Sequence, residues 1–153
     1  MLVSGPEEVS TVETFANCAA HYRREALGVS PRKHVDVLVV DDNQLIADTT
    51  SEILKRLGFS TIAAYDGRTA LRMAAEMRPD VLLSDVMMPV MNGVDLAISV
   101  RKMLPETAVL LVTGAATEDI FEDAGRKGYS FEIVNKPIHP VELVSHLNRI
   151  RQT

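Results

Sequence analysis

The stretch Val35–Gln44, VDVLVVDDNQ, decides how the rest of the chain is read. Val35–Val40 is almost continuously apolar, interrupted only by Asp36. A run of that kind fits a strand buried on both faces, as in a parallel sheet covered by helices. It ends abruptly in two adjacent carboxylates, Asp41 and Asp42. Like charges side by side at the end of a buried strand repel each other and are costly to desolvate. The pair therefore needs a reason, and the reason has to come from elsewhere in the chain.

Working outward, four more apolar runs follow, at Ser60–Ala64, Val81–Ser84, Ala108–Thr113 and Phe131–Val134. Helical patterns lie between and after them. Asn43–Leu57 ends at Gly58, a C′ glycine. Gly67–Met77 stops before Pro79, Val94–Met103 before Pro105, and Thr117–Lys127 ends at Gly128. Pro140–Arg151 places Arg149 and Arg151 in its last turn, where cations suit the helix dipole. Five βα units in residues 35–153 predict an α/β fold, an open, doubly wound parallel sheet with helices on both faces. Crossovers are right-handed, and a ligand site lies beyond the carboxyl ends of the strands. Residues 1–34 differ. Ser4, Pro6 and Glu7 read as a helix start, and Val9, Val12, Phe15, Ala16, Ala19 and Tyr22 recur at helical spacing. They predict an N-terminal helical extension, followed by the linker GVSPRKH.

The bulk numbers narrow the function. The 153 residues are 46% hydrophobic and 24% charged, suited to one domain with a real core. A net charge of -5 and a pI near 5.3 argue against direct nucleic-acid binding, which needs a clustered basic face. The single cysteine, Cys18, leaves no disulfide and no cysteine metal site, and fits a cytoplasmic location. The start MLVSGPEE lacks the pattern of a signal peptide. No stretch approaches the roughly 18 to 20 apolar residues of a membrane span.

The strand ends carry the chemistry. The first ends at Asp41 and Asp42, the third at Asp85, the fourth at Thr113 and the fifth at Lys136. The fold brings all five to one edge of the sheet. Three carboxylates there raise one another's pKa unless a hard cation shares them, and oxygen ligands of this kind suit Mg²⁺. Mg²⁺ keeps room for phosphate oxygens, so the site invites a phosphoryl group. Asp41 and Asp42 read as the metal pair. Asp85 stands alone before the loop VMMPVMNG and reads as the nucleophile that forms an acyl phosphate. Lys136 supplies a compact point charge and Thr113 a hydroxyl donor.

Four motifs in register, VLVVDDN, SDVMMPVMNG, LLVTG and NKP, resemble the response regulator receiver domain of two-component signalling. The resemblance covers Val35 to Arg151. It implies a flavodoxin-like strand order 2-1-3-4-5 and a phosphoacceptor at Asp85. It implies Mg²⁺ held by Asp42, Asp85 and the Met87 backbone carbonyl, with Asp41 acting mostly through a bound water. Thr113 closes on the phosphoryl group, Lys136 pairs with it or with Asp85, and the Lys136–Pro137 bond is cis. The donor is a histidine kinase or histidine phosphotransfer protein. With nothing after Arg151 to serve as an output domain, the resemblance is to a stand-alone receiver, not a multiple-turnover enzyme. It would signal to an unidentified downstream protein, and a dimer is compatible with it. One position departs from the family. The aromatic three residues before the lysine is Ile133 here, so the switch that couples Thr113 to this position is altered. Tyr129 and Phe131 share its strand parity and are candidates to replace the ring.

Blander readings exist for each residue alone. Asp41 and Asp42 are good helix caps, Asn43 is another, Thr113 is an ordinary strand residue and Lys136 an ordinary surface lysine. The histidines His21, His34, His139 and His146 show no metal spacing, and the NG at Asn92–Gly93 is turn chemistry. Two other functions compete. An aspartyl phosphatase of the haloacid dehalogenase type would need Asp-x-Asp after the first strand, which VVDDNQ lacks. A receiver-like module that only binds would not need the full set of five residues, whereas a receiver serving as a phosphate sink would use it.

Overall fold

Strands and helices alternate along residues 34–114 and 117–151, the part of the chain that the computed structural model describes. The strands are β1 Val37–Val40, β2 Thr61–Ala64, β3 Val81–Asp85, β4 Ala108–Thr113 and β5 Glu132–Asn135. The helices are α1 Gln44–Arg56, α2 Gly67–Met77, α3 Gly93–Met103, α4 Glu118–Arg126 and α5 Pro140–Arg151. The strands form one parallel sheet in the order β2-β1-β3-β4-β5, as the resemblance implied. The predicted N-terminal helix and linker lie outside the described residues.

Alternation along each central strand splits the core in two. Leu38, Val40, Leu82 and Leu111 face one way and pack with Ala70 and Ala74 of α2, Leu96 and Val100 of α3, and Ala124 of α4. Val37, Val39, Leu83, Leu110 and Val112 face the other way, against Leu54 of α1 and Leu143 and Leu147 of α5. Both faces being covered explains why β1 carries no polar alternation.

Several predicted boundaries move. Asn43 is not the first residue of α1 but its cap, its side chain accepting from the Leu45 and Ile46 N–H groups. Likewise Asn92 caps α3 by accepting from Asp95 N–H, so the Asn92–Gly93 pair starts a helix rather than making a free turn. The fifth strand begins one residue late, after Phe131. Gly58 and Gly128 do take positive φ, 97° and 88°, as helix-ending glycines should.

Candidate functional site

The parallel register brings the strand ends to one edge. Val40 lies opposite Ser84, Asp85 opposite Val112, and Thr113 opposite Asn135. Asp41, Asp42, Asp85, Thr113 and Lys136 thus stand at the carboxyl ends of β1, β3, β4 and β5, where the sequence predicted them. Carboxylate oxygens of Asp41, Asp42 and Asp85 lie within 4.8 Å of one another.

The three carboxylates have different surroundings. Asp41 is buried and both its oxygens are engaged. Oδ1 accepts from Asn43 N–H at 2.9 Å, and Oδ2 meets Lys136 Nζ at 3.2 Å. Asp42 is exposed to solvent, leaving its carboxylate open to a ligand. Asp85 lies between, its Oδ1 3.5 Å from Lys136 Nζ. Burial pushes the Asp85 carboxyl above its ordinary value. The Lys136 ammonium pulls it part of the way back, and the neighbouring Asp41 charge adds to the rise. Because Asn43 caps α1, the capping reading of Asp41 and Asp42 is not needed to explain them.

Backbone packing fixes the two key side chains. Lys136 N–H donates to the Thr113 carbonyl at 2.8 Å, and the following bond to Pro137 is cis. Thr113 itself is buried at the end of β4. After Asp85 the chain turns sharply, and Gly93 N–H donates to the Val86 carbonyl at 2.8 Å. A Cβ at Gly93 would overlap the Asp85 carbonyl oxygen, so this close approach requires glycine. Between them, Met91 N–H donates to the Pro89 carbonyl at 2.8 Å around Val90, whose φ is 70°. That is a γ-turn of the strained, positive-φ kind, centred on a β-branched residue. The Met87 side chain is half exposed at the start of this loop.

The oxygen set fits a hard divalent cation. Three carboxylates converge, one ionises reluctantly because of its buried and like-charged setting, and one is open to solvent. Asp42 and Asp85 would hold Mg²⁺, and once bound it would neutralise charge on phosphoryl oxygens.

The switch positions look different from the sequence reading. Ile133 lies in β5 opposite Leu111 and is 39% exposed. Tyr129 and Phe131 precede β5 instead of lying in it. Their rings stack at 6.0 Å, Arg101 lies over Phe131, and both pack against the core. Two further features escaped the sequence. An apolar groove of about 500 Å³ runs from Asp41, Asp85 and Lys136 between α1 and the start of α5, lined by Ile46, Ile53, Ile138 and Leu143. Its residues read as ordinary helix and loop positions until the fold juxtaposes them. At the far end of the sheet, His34, Asp36 and Asp80 also cluster, but Arg151 already pairs with both aspartates.

Comparison with known proteins agrees with this geometry. The family model described as response regulator receiver domain matches residues 37–148. The DNA-binding response regulator MtrA of Mycolicibacterium smegmatis is 35% identical over 117 residues, 76% of this chain and 50% of that protein. The probable transcriptional regulatory protein TcrX of Mycobacterium tuberculosis is 37% identical over 118 residues, 76% of this chain and 49% of that one. The chain spans about half the length of the curated relatives it matches. Among solved structures, the Vibrio cholerae chemotaxis protein CheY4 superposes with a TM-score of 0.68 at 33% identity, covering 76% of this chain and 98% of that one.

Proposed function

Because the chain belongs to the response regulator receiver family, we propose that it accepts a phosphoryl group on Asp85 in a Mg²⁺-dependent step and signals through protein contacts. The donor is the phosphohistidine of a histidine kinase or histidine phosphotransfer protein. One Asp85 oxygen attacks phosphorus, the P–N bond breaks, and the donor imidazole leaves. The observation that carries this reading is the placement of Asp85, with a lysine ammonium 3.5 Å away and two further carboxylates converging on it. Lys136 sits where it can follow the charge from Asp85 to the phosphoryl oxygens. Asp41, held by Asn43 N–H and Lys136, orients that ammonium. As in other receiver domains, the role is signalling, with one phosphoryl group taken up per molecule.

A donor protein has to cover the edge around Asp85 to deliver its phosphoryl group. Ile46 of α1 lines the groove there and is exposed, and Leu45 and Val141, exposed beside Ile46 and Pro140 in the sequence, supply further apolar contact area. On the output side, Thr113 is drawn to the phosphoryl group and Ile133 reports the change. A β-branched side chain is stiff at χ1. The signal therefore travels as a displacement of β5 rather than as rotation of a ring.

Incubation with Mg²⁺ and acetyl phosphate, followed by intact-mass measurement, tests the proposal. One added phosphoryl group is expected, absent in Asp85→Ala and absent without Mg²⁺. A protein that stays unmodified under all conditions would be a binding module instead. Sustained turnover of unrelated phosphate esters would make it a phosphatase.

A further inference from the structure

At the edge of the sheet opposite Asp85, a cavity of about 1280 Å³ opens between the end of α2, the end of α3 and the end of α5. Its lining combines Arg78, Arg101 and Arg151 with Asp80 and Glu106, over an apolar floor that includes Leu104 and Ile150. Arg151 is neutralised by Asp80 at 3.2 Å and Asp36 at 3.5 Å, which leaves Arg78 and Arg101 facing Glu106. Asp80 is already committed, to Arg151 at 3.2 Å and to His34 at 3.3 Å. Among the described residues, the side chains of Arg78 and Arg101 form no hydrogen bond and no ion pair.

Arg101 is the informative one. Its Nε is buried and has no acceptor. Its guanidinium is held 5.3 Å over the ring of Phe131, which itself stacks on Tyr129. Leaving a cationic donor unpaired in a partly buried position is costly, and stacking on an aromatic face offsets only part of that. The ring therefore holds a pre-oriented fork whose terminal amino groups have no acceptor among the described residues. A planar fork of this kind matches the oxygens of a phosphate or carboxylate in a bidentate fashion. With Arg78 contributing a second guanidinium to the same cavity, a dianion is favoured over a monoanion.

We propose that this cavity binds a phosphate-bearing small molecule, with the Arg101 terminal amino groups and Arg78 on the phosphate and the apolar floor beneath its organic part. The site is independent of Asp85 and lies across the full height of the sheet from it.

Nitrogen-detected NMR titration of the 153-residue chain without Mg²⁺ tests this, because a buried arginine Nε–H gives a resolved signal. Inorganic phosphate is expected to shift the Arg101 Nε–H and the backbone amides of Leu104, Glu106 and Thr107. Phenyl phosphate should do so at lower concentration if the apolar floor takes part, and equally if the free ion is the ligand. Arg101→Gln and, separately, Arg78→Ala should each weaken binding about tenfold. Acetyl phosphate should still modify Asp85 in both variants. Absence of shifts at Arg101, unchanged affinity in Arg78→Ala, or an equal response to succinate would overturn the assignment. Arg78→Ala keeps the test open should Arg101→Gln fail to fold, since Arg78 is exposed.

Discussion

At the scale of single residues, Asp85 and Val90 both hold their conformations or charges against a local penalty. Asp85 keeps its proton to higher pH when folded than the ordinary carboxylate value of 3.8, mainly because it is buried. Its ionised form is thus disfavoured in the folded state relative to the unfolded one. Stability falls as pH rises from 3.8 through the folded value, and the deficit persists at neutral pH. Asp85→Asn carries no such charge. In chelator, the variant should melt higher than the parent at neutral pH, and the two should converge below pH 3.8; a lower melting point at neutral pH would contradict this. Val90 pays in backbone conformation. Positive φ at a β-branched residue costs about 1 to 2 kcal/mol, and glycine returns about 0.5 to 1 of that as unfolded-chain entropy. Val90→Gly should therefore stabilise by roughly 1 kcal/mol or less, read as a higher urea midpoint at unchanged slope. The sequence could not show this strain, because Pro89-Val90 reads as an ordinary turn.

At the scale of elements, the strands were legible because burial on both faces removes polar alternation. Val37–Val40 and Val109–Val112 announce themselves as central strands. Helix starts were less legible, since asparagine serves both as a cap and as a turn residue, and only the structure separates these uses at Asn43 and Asn92. Among the helices α4 stands apart. Only Ala124 of its residues is buried, Thr117 makes no side-chain capping bond, and Gly125 sits inside it with open space where a Cβ would go. Gly125→Ala should add about 0.5 to 1 kcal/mol of helix stability. Because α4 is anchored lightly, that gain belongs to local opening. Amide hydrogen exchange should slow across α4 more than in α1 or α5, and uniform slowing would count against a locally labile α4.

At the scale of the whole molecule, the candidate site was legible because each of its members ends a strand, and the parallel fold maps strand ends onto one edge. What was not legible depended on packing between distant segments: the groove beside α1, the Arg101–Phe131 stack, and the exposure of Ile133. On the proposed reading, the converging carboxylates would link metal binding to global stability. Mg²⁺ at about a hundredfold over its dissociation constant should add close to 2.7 kcal/mol to folding, seen as a rise in melting temperature. Asp42→Asn should blunt that rise while leaving the metal-free fold intact, because Asp42 is exposed. An identical rise in the variant would remove Asp42 from the metal set.

The same cross-sheet placement divides the chemistry unevenly along the chain. The turn at Pro105–Glu106 is exposed and lies between β3 and β4. A backbone cut there leaves Asp41, Asp42 and Asp85 on one fragment, and Thr113 and Lys136 on the other. Neither half could then hold a phosphoryl group in its full setting. Only their reassociation, through the β3–β4 pairing, would restore the five residues to one edge, so on the proposed reading modification of Asp85 in a mixture of the two fragments would report that pairing.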